Sequence, residues 1–194
     1  GFLPATHYQA RIAAGLSDTS GGILAEDYVW EFTTIRPAAL QFFPPNGFQY
    51  AGPTDVISVT FNQPMDHASV QTRFSLELDG QPVEGTFRWK GAETATAPET
   101  MIFVPDRPLL RSATYSARVA AGARARAGEL AITEEVRWSF ATVKEPGVVS
   151  TMLQDGEKGV APDGSIQIVF ASPMQREGFL DHLTVTPQVT PVYT

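Results

Sequence analysis

Asp66, His67 and Ser69 bring together, within four residues, the side-chain types of a hydrolytic triad: a carboxylate, an imidazole and a hydroxyl. A working triad needs a base held against a nucleophile and oriented by a third group, and as a rule these come from separate segments. Helix capping by Asp66 accounts for the same residues more simply, because a carboxylate just before a helical turn accepts bonds from its first free N–H groups. His7 and His182 occupy repeat positions unrelated to that of His67, so the three histidines read as surface residues and not as a shared metal site. Asp155-Gly156-Glu157, followed by Asp163-Gly164, concentrates oxygens that would suit Ca²⁺ if they converged; the spacing is not that of an EF-hand loop, and an acidic solvated turn explains it. Arg118, Arg124 and Arg126 are a local basic exception suited to an anionic polymer, although strand-face exposure followed by a loop accounts for them without a ligand. Met65 and Met174 recur at a turn after a strand, where a flexible apolar side chain can plug the end of a core. No catalytic, cofactor-binding or metal-binding residue is assigned, no cofactor is implied, and the chain reads as a non-enzyme.

The elements that must position these residues are announced by a repeat. Leu3-Pro-Ala-Thr-His-Tyr8-Gln-Ala-Arg11-Ile-Ala-Ala-Gly15 returns as Leu110-Arg-Ser-Ala-Thr-Tyr115-Ser-Ala-Arg118-Val-Ala-Ala-Gly122, and Trp30-Glu-Phe32-Thr-Thr34 returns as Trp138-Ser-Phe140-Ala-Thr142. Phe61-Asn-Gln-Pro64-Met65 recurs as Phe170-Ala-Ser-Pro173-Met174, with Gly47 and Gly156 at matching distances upstream. The chain is thus expected to hold the C-terminal half of one repeat (1–36), a complete repeat (37–142) and the N-terminal half of a third (143–194). A period of about 107 residues is a common domain size.

Within the complete repeat, short apolar alternations are separated by Gly, Pro, Asn and Asp, which is the sequence form of an all-β antiparallel sandwich. The predicted strands are Leu40 to Phe43, Val56 to Phe61, Phe74 to Leu78, Thr86 to Trp89, Met101 to Val104, Thr114 to Ala120 and Val136 to Ala141. Because side chains alternate along a strand, Ile57, Val59 and Phe61 should face the core, as should Tyr115, Ala117 and Val119, and Val136, Trp138 and Phe140. Arg118 and its repeat mate Arg11 then face solvent. Pro44-Pro-Asn-Gly47 and Asp79-Gly80 are turn signals, and Asp66 should cap a single helical turn.

Composition narrows the function classes. With 14 basic and 21 acidic residues the net charge is −7, which opposes nucleic-acid binding. No apolar run reaches the roughly 20 residues of a spanning helix, and the N-terminus has no export-signal pattern. The absence of cysteine excludes disulfides, thiolate sites and a thioester within this segment.

A glycine-containing first loop, Phe61-Asn-Gln-Pro64-Met65-Asp66, Phe103-Val-Pro105-Asp-Arg-Pro-Leu109, Thr114-Tyr115 and Trp138-Ser-Phe140-Ala-Thr142 together resemble the bacterial Ig-like domain of the SbsA type. One departure is Gln175, where the third unit lacks the counterpart of Asp66. The resemblance implies tandem Ig-like antiparallel β-sandwich repeats and a noncatalytic structural or interaction module of a bacterial surface or secreted protein, placed outside the cytoplasm. Phe170 to Met174 with Leu183-Thr-Val-Thr-Pro187 resembles the N-terminal region of bacterial α2-macroglobulin-like protease inhibitors, which would make the segment scaffold. An accessory module of a secreted carbohydrate-active enzyme is a further alternative, in which a solvent-facing Trp89 beside Phe87 would bind glycan. The expected partners are neighbouring domains of the same protein, a protein or a glycan, and a second copy through self-association of the incomplete terminal repeats.

Overall fold

The structure, a computed structural model, describes residues 1–188, and the described chain is almost wholly β. It groups into two compact units, 1–142 and 143 onward.

In the first unit the strands are β1 (His7–Ile12), β2 (Tyr28–Thr33), β3 (Ala39–Phe43), β4 (Phe48–Ala51), β5 (Ile57–Phe61), β6 (Phe74–Leu78), β7 (Gln81–Pro82), β8 (Gly85–Gly91), β9 (Glu99–Pro105), β10 (Thr114–Val119) and β11 (Val136–Thr142). Strands β3 to β11 make two sheets, one ordered β4-β11-β10-β6-β7 and the other β3-β5-β9-β8. All their pairings are antiparallel except that of β4 with β11. This is an Ig-like β-sandwich.

The alternation decides which faces meet. Ile57, Val59 and Phe61 of β5 are fully buried, with Met101 and Phe103 of β9 beside them. From the opposite sheet come Leu76, Tyr115, Ala117, Val119, Trp138 and Phe140. Phe42 stacks on Trp138 with ring centroids 4.6 Å apart, and Phe74 meets Phe103 at 5.0 Å, so aromatic pairs join the two sheets. The seven predicted strands are all present, with Val56 and Ala120 falling just outside their strands and Thr86–Trp89 and Met101–Val104 lengthened. Two strands were not predicted, β4 and the short β7 that follows the Asp79-Gly80 turn. Both turn residues have positive φ, which Asp and Gly tolerate at a two-residue hairpin.

Among the described residues strands β1 and β2 pair only with each other, in the register of β10 and β11: Tyr8↔Phe32 and Ala10↔Trp30 correspond to Tyr115↔Phe140 and Ala117↔Trp138. The same local lock closes both hairpins. Tyr8 Oη accepts from Leu3 N–H at 2.7 Å and Tyr115 Oη from Leu110 N–H at 2.8 Å, a tyrosine-corner geometry. Thr34 Oγ1 donates to the Leu3 carbonyl at 2.7 Å, and Thr142 Oγ1 to that of Leu110 at 2.6 Å. What differs is cover. Trp138 is 2% exposed and Trp30 is 41% exposed.

In the second unit, β12 (Val148–Met152) pairs antiparallel with β13 (Gln167–Phe170), and a 3-10 turn follows at Phe179–His182. Ile166 and Met174 are exposed there.

Candidate functional site

The densest polar cluster lies where β5 runs into the helical turn α1 (His67–Gln71). Asp66 caps α1 as expected, its Oδ1 accepting from Ser69 N–H at 3.1 Å. Glu99 opens β9 and is 2% exposed, because the alternation that buries Met101 and Phe103 turns the carboxylate inward as well. Its Oε2 accepts from Met65 N–H at 2.7 Å, while Oε1 accepts from Arg126 at 2.7 Å and lies 2.8 Å from His67 Nε2. A buried carboxylate with this many partners is an anchor: each bond offsets the cost of taking the charge out of water. His67 in turn lies flat on Trp89, centroids 3.9 Å apart with 7° between planes.

One sequence reading changes here. His67 is not a plain surface residue, since its imidazole is fixed between an indole and a buried carboxylate. The basic trio stays at the surface, Arg124 and Arg126 exposed and Arg118 half-buried, and is paired locally: Arg118 reaches Ser75 and Glu135, Arg124 lies 3.6 Å from Asp66, and Arg126 reaches Glu99. Trp89, whose exposure would have favoured a glycan role, is half-buried against the core with His67 over its ring, which favours simple packing.

The triad residue types do not assemble. His67 Nε2 turns to Glu99, and Ser69 Oγ accepts from Arg124 N–H at 3.1 Å. His7 pairs with Glu31 at 3.4 Å on the β1–β2 hairpin, and His182 ends the 3-10 turn. Met65 is fully buried and plugs the sandwich end, whereas Met174 is 45% exposed. Among the described residues no three His, Asp or Glu side chains converge as metal ligands, the 155–164 loop included. No helix among them is long and apolar enough to cross a membrane.

Two surface carboxylates are perturbed. Hydrogen bonds from Arg137 and then Arg118 hold Glu135 below the usual carboxylate range. Asp18 is lowered likewise, by the Ser20 hydroxyl and then by backbone N–H groups of its own loop. Both serve local structure. Glu99 was missed by sequence reasoning, although its place two residues before Met101 carried the signal.

A family model described as bacterial Ig-like domain matches residues 35–142. Among solved structures, the N-terminal part of the bacterial S-layer protein SbsC is similar at 20% identity and a TM-score of 0.38; the match covers 61% of this chain and 26% of that one, about a quarter of its length. No curated protein matches the chain.

Proposed function

The chain belongs to the bacterial Ig-like domain family, and from that premise we propose that it is a noncatalytic structural and interaction module, part of a tandem array that spaces or presents other domains outside the cytoplasm. Residues 1–36 act in this reading as the back half of one repeat and 143–194 as the front half of another, flanking the complete unit 37–142. The observation that carries it is the shared register and shared tyrosine lock of the two hairpins, one with its apolar face covered by an opposing sheet and the other with Ile12, Tyr28 and Trp30 exposed. A half-sandwich of this kind fits neighbouring repeats, or a second copy, as its partner. The polar cluster around Glu99 supports the same view, because its carboxylate is taken up by His67, Arg126 and the Met65 N–H.

The test is a module swap in the parent gene. Replacing residues 37–142 with an unrelated sandwich of equal length should preserve the parent protein's display on the cell surface or in the medium and its activity. Loss of activity with display intact would refute a spacing role and point to a ligand of this unit.

A further inference from the structure

The loop between β10 and β11 does two things at once. Its first half is zipped to the core of the 37–142 unit: Arg124 O accepts from Asp66 N–H at 3.0 Å, Arg126 N–H donates to Pro64 O at 2.9 Å, and the Arg126 side chain reaches the buried Glu99. Its tip then lands on the segment that leads into β1. Ala5 O accepts from Glu129 N–H at 3.0 Å and from Leu130 N–H at 2.9 Å, while Glu129 Oε1 accepts from His7 N–H at 2.7 Å. Gly128 makes the approach possible. A Cβ there would stand 2.2 Å from Ala5 O, and its φ is +78°. Ala5 is fully buried beneath the tip. Ala5 is also fixed to its own hairpin, through its N–H to Ile35 O at 3.0 Å, while the adjoining Thr6 N–H donates to Thr34 Oγ1 at 2.9 Å.

We infer that residues 123–130 are an inter-repeat arm, anchored on Glu99, whose glycine-led tip docks on the Pro4–His7 shelf of the preceding repeat and fixes the angle between successive repeats. The shelf takes a tip of defined chemistry: a glycine that permits backbone contact, two consecutive N–H donors for one carbonyl, and a carboxylate for the next free N–H. The buried cluster thereby gains a purpose that catalysis does not supply. Glu99 and Arg126 are positioning residues that hold the arm, and a short, backbone-bonded arm makes the joint stiff where a bare linker at 34–38 would swivel. The inference rests on the tandem-module reading of residues 1–36 and gives that reading a mechanism.

The chain has no cysteine, so nitroxides placed at Gln9→Cys and Arg88→Cys, both exposed strand positions, report one distance across the joint. The parent should give a single narrow distance distribution. Gly128→Ala, which drives a methyl into Ala5 O, should broaden it, and so should Glu129→Ala, which removes an exposed carboxylate and leaves folding intact. In the same variants, amide exchange at Glu129 and Leu130 should accelerate about tenfold while β5 and β9 amides keep their protection. A broad parent distribution, or a narrow one in both variants, would overturn the inference. Neither outcome touches the noncatalytic reading, which the module swap decides by activity and not by distance.

Discussion

Trp138→Ala and Trp30→Ala remove the same side chain from the same register position of two hairpins, so the pair isolates what an opposing sheet contributes. Trp138 is 2% exposed, stacks on Phe42 at 4.6 Å and lies 6.3 Å from Phe74. Burying a tryptophan removes roughly 200 Å² from water, or ~5 kcal/mol at ~25 cal/mol per Å² as an upper bound. The loss is tempered because its Nε1–H is buried without a partner, and deleting it recovers about 1–2 kcal/mol of desolvation cost. A net destabilisation of about 3–4 kcal/mol is expected, within the range of core tryptophan truncations. Trp30 is 41% exposed, its nearest aromatic partner is Tyr28 at 5.7 Å, and its truncation leaves an open groove and not a cavity. About 1 kcal/mol or less should follow. The assay is thermal and urea unfolding followed by far-UV circular dichroism at several protein concentrations. At roughly 4 °C per kcal/mol, Trp138→Ala should lower the midpoint by more than about 10 °C, and Trp30→Ala by a few degrees at most. Equal losses for the two variants would refute the reasoning, and a Trp30→Ala loss that grows with protein concentration would place a second copy on that face.

Gln63 is 1% exposed and neither amide atom has a partner, so Gln63→Leu should raise stability by about 1–2 kcal/mol in urea unfolding; a loss would show that the amide is satisfied. Tyr115→Phe removes the part-buried bond to Leu110 N–H and should cost about 1 kcal/mol, with Tyr8→Phe costing less because its bond is exposed, both read as midpoint shifts. The Glu135 carboxyl is depressed by Arg137 and then Arg118, so its stabilising effect is present above the pKa of the unfolded chain and fades as pH falls through the lower folded value; NMR titration of its side-chain carboxyl should give a midpoint below the usual range that rises in Arg137→Ala.

Much of this fold was legible because a sandwich strand announces itself by alternation. Ile57, Val59 and Phe61 could be placed inward from sequence, and so could Trp138 and Phe140, because nothing but the pleat decides their side. The misses share a different cause. Strand β4 is an edge strand whose Phe48 and Tyr50 point to solvent, and its parallel pairing with β11 rests on contacts far away in sequence. Glu99 obeys the same alternation as its neighbours, but its charge argues for the surface until His67, Arg126 and Met65 N–H are known to converge on it. Gly128 is one glycine in an arginine-rich loop, and its reason for being glycine is the backbone of Ala5.

Residues at corresponding places in similar sequence phrases also show that burial belongs to the neighbourhood and not to the residue. Met65 is fully buried and Met174 is 45% exposed, although each follows the same Phe-x-x-Pro phrase; Ile57 is fully buried and its counterpart Ile166 is 48% exposed. The covered member of each pair has β10 and β11 packed over it, which carry Tyr115, Trp138 and Phe140 into the core that holds Met65 and Ile57. Within the β1–β2 hairpin the relation is reversed, since Tyr8, Trp30 and Phe32 hold the register positions of Tyr115, Trp138 and Phe140 but, among the described residues, no further strand pairs beside them. Under the proposed tandem reading, large apolar side chains at such open positions would meet an opposing half-sandwich with a Phe-x-x-Pro-Met strand end. Substituting Ile12 or Trp30 with a charged residue should leave the 37–142 unit at full stability while abolishing any association through that hairpin, which separates a docking face from a folding core in one measurement by sedimentation and melting.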